Sequence, residues 1–101
     1  MTMWYFQLHV TPKPEASSYG IYGGAFVGCW VNTSDRAVAE KSIYTNLAEQ
    51  KWKIEKIEEC FEVTLEYYSD NPNGAKYFRD ALESGMCLSF HTFPVEDIKS
   101  N

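Results

Sequence analysis

Hydrophobic and polar positions alternate along residues 4–10, "WYFQLHV": Trp4, Phe6, Leu8 and Val10 share one side, and Tyr5, Gln7 and His9 the other. Period two predicts a half-buried strand, ended by Pro12 and Pro14. Ala25, Val27, Cys29 and Val31 repeat the pattern and predict a second strand over 25–32. The Pro-, Ser- and Gly-rich stretch 12–24 between them reads as a long hairpin loop, and loops of that length often carry function. "TSD" at 33–35 opens a helix. Ser34 is the expected N-cap, Asp35 suits the helix dipole, and Ala39, Ile43 and Leu47 form a core stripe four residues apart.

Residues 52–68 read in two phases. Trp52 and Ile54 alternate, and Ile57, Phe61, Val63 and Leu65 continue in the opposite register, which a bulge near Lys56 reconciles. Ile54, Ile57, Phe61 and Leu65 also fit a helical stripe, but the β-branched and aromatic content favours a strand over about 52–64. "SDNPNG" is a turn. Asn71 can cap a helix with Pro72 at its first position, Phe78, Ala81 and Leu82 form its buried side, and Gly85 ends it. The last strand covers 86–93, and the polar tail 95–101 is expected to fray.

The predicted order is ββαβαβ in one domain spanning 1–101. The expected class is α+β, a ferredoxin-like variant with two helices packed on one face of a four-stranded, largely antiparallel sheet.

Composition narrows the function classes. A net charge of −5 disfavours nucleic acid, whose binding needs cations to displace counterions, and favours a basic protein partner. Three cysteines, 29, 60 and 87, are odd in number and too far apart for zinc-finger spacing, so three free thiols in the cytoplasm are expected. Neither a signal peptide nor a membrane span is predicted. No cofactor is implied. "YGIYGGAF" lacks the lysine of a phosphate-binding loop, and Gly23–Cys29 lacks the stacking rings and basic residue of the RNA-binding consensus.

"GMCLSFHTFP" at 85–94 places a thiol, a hydroxyl and an imidazole at alternate positions. On a strand Cys87 and His91 stand about 13 Å apart, too far for a thiolate–imidazole pair. Ser89 and His91, about 6.6 Å apart at Cα, can hydrogen-bond, but a serine nucleophile also needs an oxyanion hole and a group that orients its base. Ser89 and His91 are therefore the catalytic candidates of last resort, and a mixed strand face is the expected role. His9 and His91 could share a metal with Glu55, Glu59 or Glu62 only if their strands were neighbours; no metal site is expected.

Residues 38–94 resemble a pattern in small bacterial single-domain proteins of no known activity. Trp52, Ile54, Ile57 and Glu58 match its "W-x-V/I-x-x-I-E", Ala81, Leu82 and Gly85 its "A-L-x-x-G", and Phe90, His91, Thr92 and Pro94 its "F-H-T-x-P"; Lys51 stands where the pattern has glycine. The resemblance implies one compact α+β domain and no catalytic residue.

Two helices on one face leave the other sheet face bare, with Tyr5, His9, Phe26, Trp30, His91 and Phe93 upon it. Such a patch needs a cover. The leading expectation is a non-enzymatic, self-associating interaction module, a homodimer closed by that face. The alternatives are an acidic antidote that docks a basic protein through Glu58, Glu59 and Glu62, and a small-molecule binder or enzyme using the open face and the 12–24 loop.

Overall fold

The computed structural model describes residues 2–95; apart from Val95, the 95–101 tail lies outside the described residues. The elements are β1 (Met3–Pro12), β2 (Tyr22–Val31), α1 (Arg36–Glu49), β3 (Trp52–Val63), a 3-10 turn (Leu65–Tyr68), α2 (Pro72–Ser84) and β4 (Met86–Pro94). The strands form one antiparallel sheet in the order β3-β1-β2-β4. This is the expected ββαβαβ order and an α+β fold of the ferredoxin-like kind. The strand reading of 52–64 holds. Its phase change is carried by two register shifts, between Gln7 and Leu8 and between His9 and Val10, which flank Lys56.

β1 and β2 form a hairpin and fill the middle of the sheet. Phe6, Leu8 and Val10 from β1, and Ala25, Val27, Cys29 and Val31 from β2, are buried against Ala39, Ile43 and Leu47 of α1. The helix N-cap is Asp35, one residue later than expected. Its carboxylate accepts from the backbone N–H of Ala37 and Val38, while the Thr33 hydroxyl accepts from the Asp35 N–H. The carboxylate outcompetes the Ser34 hydroxyl because it accepts two donors at once and carries charge at the helix start.

The second helix corrects the layer arrangement. Phe78 and Ala81 of α2 pack with Met3, Trp30, Val63 and Tyr68 in a separate core, on the sheet face opposite α1. α2 begins and ends as its sequence dictates: Asn71 accepts from the Gly74 N–H, Pro72 stands in the first turn, and Gly85 closes it with φ 97°. The expectation of both helices on one face fails because α1 and α2 join different kinds of strand pair. β2 and β3 run parallel, so the handedness of crossovers fixes the side of α1. β3 and β4 are antiparallel, and no such rule fixes α2.

Candidate functional site

The α2 face of the sheet is organised in cross-strand rows. Phe61, Tyr5, Trp30 and Cys87 form one row; Glu59, Gln7, Gly28 and Ser89 the next; Lys56, His9, Phe26 and His91 the third. α2 and the 3-10 turn stand over the first row and over the Met3–Val63 pair beside it. Beyond these the face is open, and Phe26 is 39% exposed.

This arrangement overturns the uniformly bare face. Trp30 is 5% exposed. Its indole N–H donates to the Tyr68 hydroxyl at 2.8 Å, and its ring lies 4.8 Å from that of Tyr77. Gly28 makes room for it: a Cβ there would meet the Trp30 ring at 3.0 Å. Tyr5 packs beside Trp30, with ring centroids 5.0 Å apart. A dimer closed through Tyr5 and Trp30 is therefore not available, since α2 already covers them. His9 and Phe93 remain together in the open half, stacked on each other and each tilted against Phe26.

Between α2 and the sheet lies a cleft of about 410 Å³, within the usual range for ligand sites. Six aromatic side chains line it: Tyr5, Trp30, Phe61, Tyr67, Tyr68 and Tyr77. Asn71, Asn73, Gly74, Glu59 and His91 complete it, and among the described residues no lysine or arginine contributes. Phe61 sits 5.3 Å from Tyr5 and 5.7 Å from Tyr67, centroid to centroid. Tyr67 is 62% exposed at the mouth. Burial pushes the Tyr5 phenol up to about 12, helped by Tyr68 and the Glu59 carboxylate, so at neutral pH it is a neutral O–H donor. Burial also raises Tyr68, against the opposing effect of the Trp30 hydrogen bond.

Phe61, Tyr67, Tyr68 and Tyr77 escaped the sequence reading as site residues. The available signal was Gly74, a glycine inside a helical segment, which marks close approach. A Cβ at Gly74 would lie 2.3 Å from Cδ1 of Tyr68, so the missing side chain lets the tyrosine tuck under α2.

The other candidates separate. Ser89 and His91 do meet, with Oγ and Nε2 3.3 Å apart, yet among the described residues no carboxylate hydrogen-bonds His91 to orient it. Cys87 and His91 lie two rows apart. Phe26 stands between His9 and His91 in their row, which separates them by two strand spacings, roughly 10 Å, so they do not share a metal. The acidic run is dispersed too. Glu62 lies opposite Trp4, on the α1 face, and Glu59 lies opposite Gln7, on the α2 face. Glu58 pairs with Lys56 at 3.7 Å and Glu55 with Lys53 at 3.8 Å. Glu58, Glu59 and Glu62 thus make no common docking face. All three cysteines are free, and no described helix is long and apolar enough to cross a membrane.

Comparison with known protein families, with curated proteins and with solved structures returns no match.

Proposed function

We propose that this chain is a non-enzymatic protein-interaction module whose cleft under α2 takes the cationic side chain of a basic protein partner. One observation carries this reading. The cleft offers six rings and one carboxylate, Glu59, with no lysine or arginine among its described lining residues. Aromatic faces attract a lysine ammonium or an arginine guanidinium through their negative quadrupole. A low-dielectric wall behind a lone carboxylate sharpens that preference, and the net charge of −5 draws a basic protein toward the chain. The tyrosine hydroxyls and the Asn71 and Asn73 amides can accept the donors of the bound group.

The test is calorimetric titration with an oligo-arginine peptide and with free arginine. Wild-type protein should bind the peptide, and Glu59→Gln should weaken it about tenfold, the scale of one charge-assisted contact. Equal affinity of wild type and Glu59→Gln would reduce the binding to general attraction between opposite charges and refute the cleft as the site. Free arginine binding as tightly as the peptide would refute a protein partner in favour of a small cation.

A further inference from the structure

The two edges of the sheet differ in a way that singles out β4. β3, at one edge, carries Lys53, Glu55, Lys56, Glu58, Glu59 and Glu62, and two register shifts break its pairing with β1. Charges and bulges are the usual means by which an edge is protected from pairing with another strand. β4, at the other edge, has no Asp, Glu, Lys or Arg from Met86 to Pro94. Its register with β2 is unbroken from Phe93 to Met86, and Met86, Leu88 and Phe90 are half-buried. It is long, regular, uncharged and paired on one side only among the described residues.

We propose that the β4 edge pairs antiparallel with β4 of a second copy of this chain, joining two sheets into one. The occupant follows from charge and register. A basic peptide has nothing to recognise along β4, whereas an uncharged strand does not repel its own copy. In an antiparallel pair, residues opposite each other must point to the same face, so the two-fold axis passes through a residue. Placed at Ser89, it sets Leu88 opposite Phe90 of the second copy on the α1 face, and Cys87 opposite His91 on the α2 face. Pro94, which lacks an N–H, then falls outside the ladder, where proline is tolerated. An interface this small sits at or below the lower end of specific contacts, about 1,200 Å², so association is weak and concentration-dependent.

Sedimentation equilibrium at high micromolar concentration tests the proposal with a charge exchange at the axis. Wild-type protein should approach twice the chain mass. Ser89→Lys and Ser89→Glu each set like charges opposite one another, and each should sediment as a monomer. An equimolar mixture of the two should recover the doubled mass, which misfolded variants would not do. Hydrogen exchange of wild type should slow at β4 amides, and not at β3 amides, as concentration rises. A monomeric wild type, charged variants that still dimerise, or a mixture that stays monomeric each overturns pairing about Ser89.

Discussion

The rings of Trp52 and Phe90 lie 5.8 Å apart, although their strands, β3 and β4, are the two opposite edges of the sheet. Both pack against the α1 core, so the two side chains reach toward each other over the middle strands. The contact helps cover a face of four strands for which one helix is too narrow.

Removing either ring should therefore destabilise the fold by about 2–4 kcal/mol, below the full cost of a completely buried aromatic. Trp52→Ala, Phe90→Ala and the double variant, compared by urea unfolding, should show a coupling energy of about 0.5–1.5 kcal/mol, the range for an aromatic pair. Strict additivity would show that the pair does not tie the edges together.

Two glycine exchanges should act in opposite directions. Gly74→Ala would ordinarily strengthen a helix by up to about 1 kcal/mol. Here the new methyl meets the ring of Tyr68, which is 6% exposed and held by Trp30, so overpacking should prevail and cost about 1–3 kcal/mol. Lys51 has φ 67°, in the left-handed region, where a side chain costs about 1–2 kcal/mol. Lys51→Gly should stabilise, by up to about 1 kcal/mol after the added chain entropy of glycine. Midpoints of chemical unfolding decide both signs.

Stability should decline in alkali. An ordinary thiol ionises near 9.0, whereas burial holds the Cys29 thiol up to about 12, with a smaller contribution from Cys87. The folded state thus keeps a proton that the unfolded chain releases. The associated stability is complete below pH 9 and is lost as pH rises toward 12, at no more than about 1.4 kcal/mol per pH unit. Tyr5, raised from 10.0 to about 12, adds to the loss above pH 10. Cys29→Ala should flatten the slope between pH 9 and 10, and an unchanged slope would remove Cys29 as its source. At neutral pH a thiol reagent should modify Cys60 and Cys87 first, and Cys29 only on unfolding.

Local signals in the chain carry most of the fold. Alternation at Trp4–Val10 marks β1, the opposed phases around Lys56 mark the irregular β3, and Asn71, Pro72 and Gly85 delimit α2 because capping depends on neighbours in sequence. The side of the sheet that α2 occupies is not local. An amphipathic helix declares which stripe it buries, not against which face, and Phe78 and Ala81 would satisfy either. For that reason Trp30 reads as an exposed contact residue when it is the floor of a cleft, and Tyr67 and Tyr68 read only as the end of the 52–68 stretch, between the expected strand and the SDNPNG turn. The charge difference between the β3 and β4 edges is plain in the sequence, but only the strand order shows that both strands are edges.

The Trp30 indole N–H, bonded to the Tyr68 hydroxyl at the cleft floor, is the most direct reporter of the proposed site. Its proton resonance, followed while an oligo-arginine peptide is added, should move in proportion to saturation, and Glu59→Gln should shift that titration to about tenfold higher peptide concentration. The indole signals of Trp4 and Trp52, on the opposite face, should stay in place. A peptide that moves the amides of Glu55 and Glu58 while leaving Trp30 still would contradict the account, because the cation would then sit on the acidic edge and not among the rings.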